Sequence, residues 1–372
     1  MSVNSNAFIE LYYASASLGA TFVPLNFRAK PEELQYMLDA SDVNVLFVSE
    51  RYFPLFNEIK ANLPKIHHVY TLDFAADGLQ TFDQLRETGE DIPVFSDTDD
   101  DDAAIVIYTS GTTSMPKGVE LSHKALTAYV VNTQSPADPS GVQDATLVAV
   151  PLFHIAGATT MLGSIWSGRK LTILPAFDPS GWLSMVEKEK VTHAMVVPTM
   201  LKRIMEVADF DKYDISSLQL ITYGAAPMPF EVVRRAIDVF TCGLMNAFGQ
   251  TESTSTISYL GPDDHRLNGT PEENEKKIAR LRSVGRVMPD IEVGILGADG
   301  SVLPQRSEGE GCILMNEKQP AAAQRLFRIF SAQQGSAQPA PRRVTGSDAK
   351  LVGNFRREPP PGRPILAEKL AC

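Results

Sequence analysis

Apolar and polar positions fall into blocks along this chain of 372 residues, and the period changes from block to block. Phe8 to Ser17 carries apolar residues at helical spacing. Ala20 to Pro24 reads as a short buried strand, and Pro31 with Glu32 and Glu33 opens a helix. Proline loses no hydrogen bond in a first helical turn, and acids there oppose the helix dipole. Val43 to Val48, apolar except for Asn44, is a run of strand length. The alternation returns further on. Strands are expected at Lys170 to Leu174, His193 to Val197, Leu218 to Thr222 and Gly243 to Phe248, with helices between them at Pro179 to Lys190, Pro198 to Val207 and Phe230 to Phe240. Strands that alternate with helices pair in parallel, so the expected fold class is α/β, with layered parallel-rich sheets flanked by helices. Ligands of such sheets sit in the loops at the carboxyl ends of the strands.

Two stretches need a reading of their own. Ala145 to Gly168 holds no Asp, Glu, Lys or Arg and is long enough to cross a bilayer. Pro151, His154 and several Gly and Thr interrupt it, so buried core segments are expected and membrane contact at most peripheral. Asp97 to Asp102 holds five aspartates, but neighbours in an extended run cannot all face one ion; a solvated turn is expected there. Near Lys318 the composition shifts. From Pro320 onward there are nine cationic side chains against three acids, seven prolines and few aromatics. Residues 319–372 are therefore expected to form a disordered Pro/Arg-rich tail behind a domain covering 1–318.

Composition then narrows the function. The net charge of −11 argues against a nucleic-acid partner, which demands clustered Lys and Arg. Three cysteines at wide, unpatterned spacing argue against a disulfide framework or a zinc cluster, and residues 1–27 contain no Lys or Arg for a secretory signal. A cytoplasmic location is expected.

The strongest chemical signal is Ile105-Val-Ile-Tyr-Thr-Ser-Gly-Thr-Thr-Ser-Met-Pro-Lys-Gly-Val119. A buried strand runs into a loop of small hydroxyl residues and glycine, then a lysine. Backbone N–H groups, hydroxyls and one cation in a small volume make an anion-binding nest, and polyphosphate is the obvious anion. Lys117 precedes Gly118 and no Gly-Lys-Ser/Thr follows, so this is not a Walker A loop. Read by composition alone, the same segment is an ordinary Ser/Thr-rich turn.

Tyr108 to Gly118 closely resembles the signature of the adenylate-forming superfamily, which includes AMP-forming acyl- and aryl-CoA synthetases, luciferases and peptide-synthetase adenylation domains. Ser114 stands where that family usually has Gly. Gly19 to Asn26, Pro151 to Gly157, Tyr223 to Pro227, Asn246 to Glu252, Ser283 to Pro289 and Gly309 to Gly311 resemble further stretches of the family in the expected order. The resemblance implies an ATP-dependent acid–thiol ligase with ATP, Mg²⁺ and CoA, acting on a small-molecule carboxylic acid. It implies that Thr109, Ser110, Gly111, Thr112, Thr113 and Lys117 hold the ATP phosphates, and that Lys117, Thr251 and Glu252 are catalytic. Glu252 would ligate Mg²⁺, and Thr251 would meet the α-phosphate. Gly224, Ala225, Ala226, Pro227, Asn246, Ala247, Phe248 and Gly249 would form the adenine site, and His154 with Gly224 the acyl pocket.

Taken singly, Glu252 would read as a surface carboxylate, Phe248 as core and His154 as a satisfied core histidine. Peptide-synthetase domains place an Asp in the segment that here reads Phe153-His-Ile-Ala156, so the resemblance implies a plain acyl or aryl acid, not an amino acid. The family pattern also includes an earlier start, a Thr-Gly-Asp motif that binds ribose and a small carboxyl-terminal domain with a catalytic lysine. None is matched here, since Thr345-Gly-Ser-Asp348 has the wrong spacing and context. A non-catalytic nucleotide- or acyl-binding fragment therefore stands beside the ligase as an alternative, with luciferase-type oxidation a lesser one.

Overall fold

In the computed structural model the described residues are 1–296 other than 27, 91, 95, 110–114 and 290, together with the strands at 302–303, 310–315 and 327–329. The chain begins with α1 (Asn6–Ser17) and α2 (Pro31–Ala40). Pro31 is the first helical residue of α2, and the Glu33 carboxylate accepts from the Lys30 N–H at 2.9 Å, so the acids do cap this helix. Then come β1 (Val45–Val48), α3 (Phe53–Ile59), β2 (His68–Thr71), β3 (Gln80–Thr81) and α4 (Phe82–Glu87); β1, β2 and β3 form a small parallel sheet. An antiparallel hairpin follows, β4 (Ala103–Thr109) and β5 (Lys117–Ser122), and then α5 (His123–Thr133).

The central layer is built next: β6 (Ala145–Val148), α6 (Ile155–Trp166), β7 (Lys170–Ile173), α7 (Pro179–Glu189), β8 (His193–Val196), α8 (Pro198–Met205), β9 (Leu220–Gly224), α9 (Phe230–Val239), β10 (Gly243–Gln250), β11 (Ser255–Leu260), α10 (Pro262–His265), α11 (Pro271–Arg280) and β12 (Arg286–Val287). These seven strands form one sheet in the order β12-β11-β10-β9-β8-β6-β7. Pairing is parallel from β7 to β10 and antiparallel from β10 to β12. A separate antiparallel sheet holds β13 (Ile291–Leu296), β14 (Val302–Leu303), β15 (Glu310–Met315) and β16 (Phe327–Ile329).

Burial explains the layering. On one side of the large sheet α7, α8 and α9 press Trp182, Leu183, Val186, Leu201, Ile204 and Val233 into a core with Leu147, Val196 and Ile221. Each such side chain contributes about 1.5–3 kcal/mol when fully withdrawn from water. Elsewhere Phe8 and Tyr12 of α1 meet Ile105 and Ile107 of β4, Leu126 of α5 and Met161 of α6. The uncharged stretch Ala145 to Gly168 is thus a fully buried strand, a turn and a helix. Among the described residues no helix is long and apolar enough to cross a membrane.

Several expected elements differ in detail. Ala20 to Pro24 is not a strand but a single parallel bridge, Phe22 to Ile105, held by bonds from Phe22 N to Ala104 O and from Val106 N to Phe22 O, both 2.9 Å. The helix expected to run to Lys190 ends at Glu189, because Lys190 takes a left-handed conformation (φ 50°) that closes it. The strand expected at Leu218 to Thr222 is Leu220–Gly224. Leu218 is buried ahead of it, and ladder pairing with β8 starts at Leu220. The aspartate run forms the turn before β4, as expected.

Behind β10 lies a buried polar lock. Tyr223 is fully buried and donates its hydroxyl hydrogen to His265 Nε2 (2.9 Å), and burial pushes that hydroxyl up to about 12. The tautomer follows from the other ring nitrogen, which lies 2.8 Å from Gly261 O and must carry its hydrogen to bond there. Next to it the 2%-exposed Asp264 accepts from Arg280 and, at 3.1 Å, from Arg286. Burial lowers the His265 pKa below its usual 6.5, against smaller opposing effects of the Gly261 carbonyl and Asp264. Below pH 6.5 the unfolded chain therefore binds more protons at this site than the fold does. Stability should be lost as pH falls through 6.5 toward the lowered folded value, by up to about 1.4 kcal/mol per pH unit. Urea unfolding between about pH 7.5 and about 5 should show that slope, and His265→Gln should flatten it.

Candidate functional site

The sequence-predicted residues come from three places that the fold brings to one end of the large sheet. The first is the β4–β5 hairpin. Thr109 and Lys117 are register partners at its open end, so the loop between them is pinned at both sides. Its start is further fixed by Tyr108, whose hydroxyl donates to Met37 O (3.1 Å) and accepts from Ser41 (2.7 Å), tying the hairpin to α2. Ser110, Gly111, Thr112 and Thr113 lie outside the described residues. Lys117 is exposed on the first position of β5. No helix follows the loop, so an anion here would be met by loop N–H groups, hydroxyls and a lysine without a helix dipole.

The second place is the end of β9. Gly224 is buried and its hydrogens face Ala247; a Cβ there would lie 2.1 Å from the Ala247 carbonyl oxygen. Ala225 then takes φ +61°, a left-handed conformation that costs a residue with a Cβ roughly 1–2 kcal/mol. Ala226 and Pro227 are exposed beside it.

The third place is β10 and the turn beyond it. Asn246 lies opposite Tyr223 in register, and its side chain bonds the Tyr223 hydroxyl. Phe248 is half-buried and packs against Ile257 and Ile291. Between Phe248 and Gly249 the register with β11 slips by a bulge, which brings Gly249 within 1.5 Å, measured from an added Cβ, of the Ser255 carbonyl oxygen. A single 3-10 turn, Thr251–Ser253, follows. Ser253 locks it by donating toward Gln250 O and Ser255 O (3.0 and 3.2 Å), and Thr254 and Ser255 both hold positive φ (59° and 109°). Thr251 is 9% exposed and Glu252 half-buried.

The hairpin and this turn are neighbours: β5 approaches Thr251–Ser253 within 8 Å, Cα to Cα. Lys117 and Glu252 thus belong to adjacent elements, and neither side chain makes an ion pair with another described residue. A half-buried carboxylate without a cation partner among the described residues suits a hard cation. Among the described residues no group of three or more His, Cys, Asp or Glu could enclose a metal. A divalent ion at Glu252 would therefore depend on oxygens of a bound phosphate, which is how Mg²⁺ is usually held.

A cavity of about 170 Å³ opens beside this turn and extends along the face of the sheet beneath α5 and α6. Ala225, Ala247, Gly249 and Ser255 wall its near end. His154 does not line it, although the next residues, Ile155 and Ala156, do. His154 is the N-cap residue of α6, its ring 4.3 Å from that of Phe153, and its pKa is lowered by burial and by Arg28. Sequence reasoning missed Ser255, Thr256 and Tyr129, whose hydroxyl meets Thr256 at 2.9 Å. The hydroxyl-rich run Thr251-Glu-Ser-Thr-Ser-Thr256 was the available signal for the first two.

The comparisons with known proteins agree in direction. A family model described as AMP-binding enzyme matches residues 1–317. A medium-chain-fatty-acid–CoA ligase of Ectopseudomonas oleovorans is 26% identical over 320 residues, covering 84% of this chain and 58% of that protein. A feruloyl-CoA synthase of an Amycolatopsis species is 30% identical over 308 residues, covering 82% and 57%. The inhibitor-bound N-terminal domain of FACL13 from Mycobacterium tuberculosis superposes with a TM-score of 0.72 at 26% identity, covering 85% of this chain and 74% of that one. The chain thus spans little more than half the length of these curated relatives.

Gly249 and Ala225 give sharp tests of this geometry. Gly249→Ala should lower the unfolding free energy by about 1–3 kcal/mol, because a carbonyl of the neighbouring strand must move. Ala225→Val should cost about 1–2 kcal/mol while Ala225→Gly should cost nothing, and the control Gly89→Ala should stay within about 0.5 kcal/mol of wild type. Urea midpoints of the four variants read all of this.

Proposed function

Because the chain belongs to the AMP-binding enzyme family, we propose that it serves ATP-dependent activation of a carboxylic acid. One carboxylate oxygen attacks the α-phosphorus of ATP, the bond to the bridging β-phosphate oxygen breaks, and an acyl adenylate and pyrophosphate result. A thiolate, with CoA as the proposed donor, then attacks the acyl carbon, the acyl C–O bond of the mixed anhydride breaks, and AMP leaves with its electrons. The first step crowds negative charge, so positioning and neutralisation carry most of the catalysis.

The observation behind this reading is the meeting of three parts at one sheet end: the hairpin loop bounded by Thr109 and Lys117, the turn bearing Thr251 and Glu252, and the mouth of the cavity. In the proposed arrangement Thr109 to Thr113 and Lys117 take the β- and γ-phosphates, and Thr251 donates to the α-phosphate. The adenine lies between Phe248 and the Gly224 to Pro227 segment, with Asn246 and Ala247 at its edge and Gly249 leaving room for it. Glu252 would hold Mg²⁺, which when bound supplies positive charge to the triphosphate. The acid's carboxyl would sit at the near end of the cavity, by Ala225 and Gly249; neither His154 nor Gly224, the expected acyl-pocket residues, lines it. The relatives named for a medium-chain fatty acid and for a feruloyl group fit a plain acyl or aryl acid, and Phe153-His-Ile-Ala156 offers no Asp for an α-amino group.

Acid-dependent exchange of radiolabelled pyrophosphate into ATP tests the first step. Lys117→Ala and Glu252→Gln should each lower exchange by about 10²–10³-fold with little change in thermal midpoint. Saturable ATP binding without exchange would assign the chain to the non-catalytic nucleotide- or acyl-binding alternative, and no ATP binding at all would overturn the proposal.

A further inference from the structure

The cavity continues well past the residues that any acid-activating step requires. Along β9 its wall runs from Ala225 back to Leu220, a span of about 17 Å at roughly 3.3 Å per strand residue. The cavity, of about 170 Å³, is thus a slot long enough for an extended chain. Its far end lies at the amino-terminal edge of the parallel strands, where Arg169 precedes β7 and His193 opens β8.

The α6 hydroxyls along the slot are already spoken for; the guanidinium of Arg169 at its far end is not. On α6 the hydroxyls of Thr159, Thr160 and Ser164 donate to the carbonyls of Ile155, Ala156 and Thr160, at 2.8, 2.7 and 2.7 Å. They turn their hydrogens into the helix and leave mostly carbon facing the slot. Thr192 gives its own hydrogen to Ala145 O (3.0 Å), so at His193 it is Nδ1 that donates to the Thr192 oxygen (2.8 Å), and Nε2 is left without a partner among the described residues. The Arg169 guanidinium is half-buried, yet it hydrogen-bonds and ion-pairs with no described residue; only its backbone N–H is used, toward Ser164 O. Asp144, before β6, acts on both groups from further off. Its carboxylate accepts from Gln219 (3.1 Å) and stands 4.0 Å from His193 Nδ1. It raises the pKa of both cations, while burial, the larger effect, lowers each.

A guanidinium cannot shed its charge at neutral pH, and one half-buried at a cavity end with no acceptor among the described residues is free to meet an anion. A carboxylate meets its fork with two parallel charge-assisted hydrogen bonds. We propose that the acid taken by this slot is a linear dicarboxylic acid, its far carboxylate held by Arg169. This deepens the acid-activating reading and rests on it for the direction of the chain, reacting carboxyl toward Gly249 and second carboxyl toward Arg169.

Calorimetric titration of the purified 372-residue chain with decanoate, ω-hydroxydecanoate and decanedioate, without ATP, decides the matter. The diacid should bind at least ~10-fold more tightly than decanoate. Arg169→Leu should weaken the diacid by ~10- to 100-fold and leave decanoate nearly unchanged, with Arg169→Lys between the two. Equal affinity for diacid and monoacid, or equal damage to both by Arg169→Leu, would overturn the proposal. An ω-hydroxy acid that binds as tightly as the diacid would also overturn it, since a charge would then not be what Arg169 selects. Failure of all three to bind would reject the slot as the acid's place, whereas the activation reading itself stands or falls on pyrophosphate exchange with other acids.

Discussion

Among the described glycines, Gly249 leaves the least room for a side chain, against the Ser255 carbonyl, and the candidate site is arranged around it. There the large sheet stops pairing in parallel and turns antiparallel, a bulge shifts the register, and the backbone reverses within a single 3-10 turn. A side chain at 249 would force β10 and β11 apart. Because none is there, β11 folds back tightly, Thr254 and Ser255 are held at positive φ, and Ser253 closes the turn with its hydroxyl. The strain is borne because Thr251 and Ser253 are buried and β11 is paired on both sides. The result is a tightly closed turn that places half-buried Glu252 on an element neighbouring the hairpin.

Two further anchors make that platform a site. Tyr108, one residue before the loop partner Thr109, is bonded to α2, so the hairpin cannot slide relative to the first unit of the chain. Behind the sheet, Tyr223 reaches both His265 and the Asn246 side chain, and the buried Asp264 gathers two arginines. Such satisfied polar groups fix one arrangement of β9, β10 and α10, because a single lost partner would leave a buried group unpaired. The exposed ion pairs elsewhere, such as Lys276 with Glu272, add little to stability.

Much of the architecture was legible in the amino-acid order because the cues were local. Pro31, Pro179 and Pro198 mark helix starts, and all three begin helices. Apolar runs at Val45–Val48 and His193–Val196 are strands because strands covered on both faces need no polar alternation. The errors lie where pairing decides. Ala20 to Pro24 has strand composition, yet only Phe22 finds a partner in β4. Leu218 is apolar and buried, yet the ladder starts two residues later. Lys190 ends its helix through a backbone conformation that no side-chain pattern reveals.

The same division holds for the chemistry. The hydroxyl-rich loop with Lys117, the Thr251-Glu252 pair and the Tyr223 to Pro227 segment became candidates for one binding site through their joint resemblance to one family; taken singly, their residue types read as a turn, a surface carboxylate and a strand end. That β5 and the Thr251–Ser253 turn are neighbours was decided by the sheet and hairpin packing. Arg169, His193 and Asp144 are scattered singly over fifty residues of sequence and carry no motif. They converge only because β6, β7 and β8 run parallel and in register, which lines up their amino-terminal ends. A contiguous run of residues can mark a candidate loop; the meeting of residues from separate strands depends on strand order, which the tertiary fold alone sets.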